Sequence, residues 1–276
     1  MKNKIVWGIV LGVLLLTCVL LICFLCNTKQ QTKAVWWWND ELSRETYLPF
    51  LEKNDVNEIY LCDSNFNENT NLFIKDANSK GIKVFYLAGE YKWIENPENL
   101  YKNIGKYKEF QSKYKNNFSG IHLDIEPHQH PEFSVKRKDL LLGLITLADN
   151  LKSTYKDITF DFDIPFWFDD EISFKNETKQ AYKFMIDIAD RIFVMSYRDT
   201  AQKIYSVAED EINYATQTHK TLVLSIETKE NEDDFVTFFE EGKEKLNQEI
   251  KTLKEMLPIN FGISIHHVKS WYDLKD

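Results

Sequence analysis

Near the middle of the chain, Gly120-Ile121-His122-Leu123-Asp124-Ile125-Glu126 alternates strictly between apolar and ionisable side chains, and Pro127 follows. In an extended conformation Ile121, Leu123 and Ile125 face one way while His122, Asp124 and Glu126 face the other. Burying unpaired ionisable groups is costly. The pattern therefore suits a strand that lines a barrel and delivers its last side chains to a pocket. Two acids at i and i+2 lie about 6–7 Å apart at Cα, close enough to perturb each other's titration. A pair of carboxyls in a pocket is what acid-assisted cleavage of a glycosidic bond requires.

Elements able to position such a pair recur along the chain. Eight strand-like runs are expected: Ala34–Trp38, Glu58–Ser64, Lys83–Glu90, Gly120–Glu126, Ile158–Pro165, Arg191–Arg198, Thr221–Thr228 and Phe261–His267. Between them lie charged stretches of helical period, at Thr70–Lys80, Leu100–Tyr114, Val135–Tyr155, Glu177–Ile188 and Asp234–Leu257, and a short last helix is expected near Val268–Leu274. Eight β/α units without a glycine-rich first turn predict an α/β fold of the (β/α)8 TIM-barrel type rather than a doubly wound sheet. Such a barrel carries its site at the carboxyl ends of its strands, and polar residues are dense there. They include Asn39 and Asp40, Asp63 and Ser64, Glu90, Asp124 with Glu126 and His128, Asp161 and Asp163, Tyr197 with Arg198 and Asp199, Glu227, and His266 with His267. Crowded carboxyls raise one another's pKa, which keeps one of them protonated for acid work.

The amino terminus is a separate region. Ile5 to Cys26 is an uncharged apolar run preceded by Lys2 and Lys4, and about 20 such residues span a bilayer as a helix. A cleavable leader has a shorter core and a small-x-small site. The expectation is an uncleaved transmembrane signal anchor at 5–26 after a cytoplasmic 1–4, a linker at 27–33, and one extracytoplasmic domain at 34–276. That would make a single-pass protein of the cell membrane. Only Cys62 lies outside the anchor, so an intramolecular disulfide or a cysteine-built metal site is excluded there. Setting Lys2 and Lys4 aside takes the formal charge from -9 to -11, which argues against nucleic acid as a partner and against an anionic polymer held by bulk charge. No obligate protein partner and no cofactor are indicated.

Two segments resemble the family 18 glycoside hydrolases, the chitinase-like barrels. Gly120, Asp124 and Glu126 fall on matching positions of that family's fourth-strand signature, D-G-x-D-x-D-x-E, with Ser119 and His122 replacing its first two acids. Phe193-Val194-Met195-Ser196-Tyr197 resembles the sixth-strand Met-x-Tyr element, although Arg198 intervenes before Asp199. His266 stands where the family often carries Trp on strand eight. The resemblance implies a glycoside hydrolase in which Glu126 protonates the leaving oxygen. Asp124 would tune it and steady a substrate N-acetyl group acting as internal nucleophile, and Tyr197 would donate to that acetamido carbonyl.

A second layout stays open. Glu227 ends strand seven, facing inward with Val223 and Ser225, and could serve as the nucleophile of a covalent mechanism opposite Glu126. Expected substrate-binding residues are Trp38, Asp163, Trp167, Asp199 and His266, with the Asp163–Asp170 loop the chief candidate segment. Of Trp36, Trp37 and Trp38, the middle one faces opposite to its neighbours. Tyr91, Trp93 and Trp271 are further candidates for stacking on a sugar ring, although aromatics also fill cores. His122, His128, His130, His266 and His267 with Asp124 raise the question of a metal. Strand one, Val35-Trp-Trp-Trp-Asn39, lacks the paired histidines of metal-dependent hydrolase barrels, and no metal is expected. His122 is expected instead to bond Asp163 or Asp124. The sequence thus predicts a membrane-anchored hydrolase of a polysaccharide or cell-envelope glycan. The rival readings are a glycan-binding barrel without catalysis and a metal-dependent hydrolase or deacetylase.

Overall fold

A computed structural model of the chain describes residues 31–38, 44–63 and 65–276. Eight parallel strands close into a barrel: β1 (Lys33–Trp38), β2 (Glu58–Cys62), β3 (Lys83–Ala88), β4 (Ile121–Leu123), β5 (Phe160–Pro165), β8 (Arg191–Met195), β9 (Thr221–Glu227) and β10 (Gly262–His266). Two further strands, β6 (Glu171–Phe174) and β7 (Glu177–Gln180), form an antiparallel hairpin after β5. The helices are α1 (Arg44–Lys53), α2 (Glu68–Ser79), α3 (Glu98–Lys113), α4 (Phe133–Thr154), α5 (Ala181–Ile188), α6 (Ala201–Val207), α7 (Glu209–Gln217), α8 (Gly242–Met256) and α9 (Val268–Asp273).

The eight barrel strands coincide with those expected from the sequence, β1 starting one residue earlier and the other seven shorter. Two helix predictions need correction. Glu177 to Gln180 is strand rather than helix, because Lys175 and Asn176 both take positive φ (47° and 66°) and close a two-residue hairpin turn. The polar Glu-Thr-Lys-Gln run carries no period that would reveal this. The stretch from Asp234 begins with a single 3-10 turn, Asp234–Val236, and the helix proper starts at Gly242. Helices α1, α6 and α7 supply β/α units whose helical stretches the sequence did not delimit, α1 with Pro49 inside it.

The barrel sorts side chains by strand alternation. Outward residues such as Val35, Trp37, Ile59, Ile121, Leu123, Ile125 and Val194 pack beneath the helices in the main core. Inward residues Ala34, Trp36, Tyr60, Phe85, Leu87, Phe193 and Val223 form a second, enclosed cluster. Register aligns Trp36 with Tyr60, Tyr60 with Phe85 and Phe193 with Val223, so these rings make a layer across the barrel.

Below that layer, at the amino ends of the strands, Arg191 is held by carboxylates. Its NH1 donates to Glu58 at 2.7 Å and 3.0 Å, and its NH2 and Nε donate to Asp161 at 2.6 Å and 3.1 Å. Tyr60 also donates to Glu58 at 2.8 Å. Asp161 is thus part of the barrel floor and not of the strand-end rim where the sequence reading put it.

Among the described residues no helix is long and apolar enough to cross a membrane. The expected anchor at 5–26 lies outside the described residues, as do the strand-end candidates Asn39, Asp40 and Ser64.

Candidate active site

At the carboxyl ends of β4, β5, β8, β9 and β10 the barrel opens into a cleft of about 410 Å³. Its walls include Trp36, Asp124, Glu126, His128, Asp163, Trp167, Tyr197, Arg198, Glu227 and His266. Asp124 and Glu126 follow β4 and keep its alternation, so both turn inward while Ile125 is buried outside the barrel. Gly89, just after β3, permits this placement. A Cβ there would stand 1.8 Å from the Asp124 carbonyl oxygen, so only glycine lets the two segments approach.

Asp124 and Glu126 are hydrogen-bonded neighbours with opposed titration. Burial first, then the charges of Asp163 and Glu126, push Asp124 well above the usual carboxylate range. Burial would also raise Glu126, but hydrogen bonds and charge from His128, then Gln129 and Asp124, hold it below its ordinary value. His128 Nε2 lies 2.9 Å from Glu126 Oε2, and Gln129 Nε2 donates to the same oxygen at 2.6 Å. The two shifts favour a proton on Asp124 over one on Glu126.

Beneath them, Asp163 Oδ2 contacts His122 Nε2. Burial drives Asp163 well up and His122 down to about 3. Of the two partners expected for His122, Asp163 is the one observed. The other acceptor of Asp163, Oδ1, and Oδ1 of Asp124 are buried without a hydrogen-bond partner. Buried acceptors left empty are uncommon in folded proteins.

Glu227 is differently placed. Its Oε1 accepts from the backbone N–H of Thr228 and of Lys229, each at 2.7 Å. Trp38 Nε1–H donates to His266 Nε2 at 3.3 Å, which leaves the ring proton on Nδ1, 2.7 Å from Glu227 Oε2. Both oxygens of Glu227 are therefore engaged. Burial lowers the basicity of His266, but the bond to Glu227 and the charges of Glu227, Asp124 and Asp163 outweigh it and raise its pKa. The Tyr197 ring stacks on His266 with centroids 6.3 Å apart. Burial, then the surrounding acids, keep the Tyr197 hydroxyl protonated and thus a donor.

Of the residues singled out for substrate, Asp163, Trp167 and His266 line the cleft. Trp38 reaches it through its bond to His266, and Asp199 is turned to Lys203 at 3.1 Å. Trp167 is backed by Arg137, whose guanidinium carbon lies 5.0 Å from the indole centroid and whose Nε donates to Asp170 at 2.6 Å. Trp93 and Trp271 are buried in the core, 5% and 1% exposed, and offer no sugar platform. Of the three consecutive tryptophans, Trp37 packs outside on Phe73 and Trp36 fills the barrel below the cleft, consistent with their alternation. His130 sits against Tyr91 and Glu95 rather than in the cleft wall. Asp63 accepts from Thr70 Oγ1 beside the N-terminus of α2, in a second cavity of about 370 Å³. Among the described residues no three His, Cys, Asp or Glu side chains converge as a metal ion would need.

The sequence reading missed Asn231, Asp233 and Val236, which line the cleft from the segment after β9. Of these, only Val236 falls within the helical stretch expected from Asp234, and Asn231 and Asp233 lie in the polar segment before it.

No protein-family model matches the sequence, and no curated protein does. Solved structures do share the fold. A GH18 chitinase from Pseudoalteromonas aurantia superposes with a TM-score of 0.58 at 14% identity, covering 86% of this chain and 94% of that one. The class V chitinase of Nicotiana tobaccum gives 0.55 at 12% identity, covering 87% and 95%. The glycoside hydrolase domain of PelA from Pseudomonas aeruginosa gives 0.52 at 8% identity, covering 89% and 98%. At these identities the likeness establishes the barrel fold, which agrees with the expectation from the sequence.

Proposed function

We propose that the protein is a glycoside hydrolase whose acid is Glu126, acting on a glycan that contains N-acetylated amino sugars. The observation that carries this reading is the Asp124–Glu126 pair, two inward-facing carboxyls that line a cleft at the carboxyl end of a closed barrel and whose pKa values are pushed in opposite directions. Solved barrels of the same fold named as chitinases and as a glycoside hydrolase support it.

Glu126, held low by His128 and Gln129, must gain the pair's proton before it can act. A glycan seated over it displaces water and disturbs the bonds from His128 and Gln129. With these gone, burial dominates and raises Glu126, and the proton passes from Asp124 to Glu126. Glu126 then protonates the leaving glycosidic oxygen. Asp124, left as a carboxylate, orients the N–H of the substrate acetamido group while its carbonyl oxygen attacks the anomeric carbon. Tyr197 donates to that carbonyl oxygen. Water then opens the cyclic intermediate, with Glu126 as base, and the configuration at the anomeric carbon is retained. Trp167 offers an aromatic surface to a sugar ring.

The alternative with Glu227 as covalent nucleophile is less favoured, because two backbone N–H groups and His266 already occupy its lone pairs. Glu227 is better suited to fixing His266 in the cleft wall. We also propose that the apolar run from Ile5 to Cys26 anchors the protein in the cell membrane with the barrel on the outer side, near an envelope or surface glycan.

The test is turnover of N-acetylglucosamine oligomers by wild type and Glu126→Gln. Loss of a proton donor costs about 10²–10⁴-fold in rate. A loss in that range with an unchanged thermal midpoint is expected, and near-normal turnover by the variant would remove the assignment.

A further inference from the structure

Four arginines occur in the sequence, and three are neutralised. Arg191 binds Glu58 and Asp161, Arg137 binds Asp170, and Arg44 lies 3.3 Å from both Glu45 and Asp76. Arg198 makes no ion pair among the described residues, although it lines the cleft amid carboxylates. Its chain neighbour Asp199 is committed to Lys203, and Glu227 to His266. The guanidinium is nonetheless fixed. Its carbon lies 4.8 Å from the Phe166 centroid and 5.6 Å from that of Phe235, and NH1 donates to the Tyr197 carbonyl oxygen at 2.6 Å. A guanidinium has five N–H donors in a rigid fork. One is used here, and the rest meet no acceptor among the described residues. Phe235 is 47% exposed beside it, and Asn231 adds a polar group to the same wall.

An arginine held between two rings in an open cleft, with its fork unfilled, is arranged for an oxyanion brought by a ligand. Glu126 and Asp233 in the same cleft would repel a doubly charged phosphate more than a singly charged carboxylate. We infer that the cleft selects a glycan carrying a carboxylate on one of its sugar units, and that Arg198 is the residue that reads it. This rests on the glycan-cleft reading above.

Binding to the Glu126→Gln protein, which does not consume its ligand, is the direct test. Three probes are compared by calorimetry: neutral N-acetylglucosamine oligomers, the same oligomers oxidised to carboxylates at C6, and oligomers carrying a 3-O-lactyl carboxylate on alternate units. At least one carboxylated probe is expected to bind about tenfold more tightly than the neutral one. Adding Arg198→Gln should bring the ratio of the two affinities to about one, and Arg198→Lys should restore part of it. Neutral and carboxylated probes bound alike, or a preference that survives Arg198→Gln, would overturn the inference while leaving the glycan cleft standing. Failure of all three probes to bind would overturn the cleft reading and this inference with it.

Discussion

Two polar layers share the interior of one barrel and are built on opposite principles. In the lower layer every charge has a partner: Arg191 lies between Glu58 and Asp161, and Tyr60 closes the ring. In the upper layer Asp124, Glu126 and Asp163 crowd together with no arginine or lysine bonded to them, and one oxygen each of Asp124 and Asp163 has no hydrogen-bond partner. Both layers come from the same inward-facing strand positions, separated by the Trp36–Tyr60–Phe85–Phe193 rings. The lower one is a structural plug. The upper one holds buried acids whose pKa values are raised and whose oxygens an external ligand can reach. Inward polarity in a barrel is therefore not enough to mark a site; unsatisfied polarity that opens on a cleft is.

Breaking the comparison at its lower end should give the largest effect on folding. Arg191→Met leaves the Glu58 and Asp161 carboxyls buried without a cation, and removing one partner of a buried charge network costs about 3–5 kcal/mol. Urea denaturation is expected to show a loss of that size. An unchanged midpoint would mean that the lower layer is not the plug described here. In the upper layer the effect falls on turnover instead, as the Glu126→Gln comparison above specifies.

A buried acid outside both layers sharpens the contrast at smaller scale. Glu211 on α7 is 1% exposed, both its oxygens lack partners, and burial pushes its pKa up to about 8. It lies outside the cleft, so its unsatisfied state serves no ligand. A folded pKa above the unfolded one means that the native protein holds an extra proton between the two values. Stability from this group is therefore present at low pH and lost as the pH rises towards 8. Glu211→Gln is expected to melt a few degrees above wild type at pH 9 and close to it at pH 5. Equal midpoints at both values would show that Glu211 finds a partner in solution.

How much of this was legible beforehand follows from what alternation can encode. The β4 pattern and the other seven strands could be read because a barrel strand has one face under helices and one inside. The cleft positions of Asp124, Glu126, Asp163, Trp167, Tyr197 and His266 followed from lying at strand ends. The depth of an inward residue could not be read so. Asp161 and Asp163 differ by one alternation step, yet one belongs to the plug and the other to the cleft. Nor could the engagement of Glu227, which depends on two backbone donors beyond its own strand. The Lys175-Asn176 turn escaped because neither residue is glycine.

The central claim is that burial first, and the neighbouring acids Asp163 and Glu126 second, raise the Asp124 carboxyl well above the usual carboxylate range. A pH titration of the Asp124 carboxyl by carbon NMR, in wild type and in Asp163→Asn, tests this most directly. The midpoint in wild type should lie well above the roughly 3.9 of a free aspartate, and removal of the neighbouring acid should move it down. A midpoint near 4 in both proteins would contradict the account.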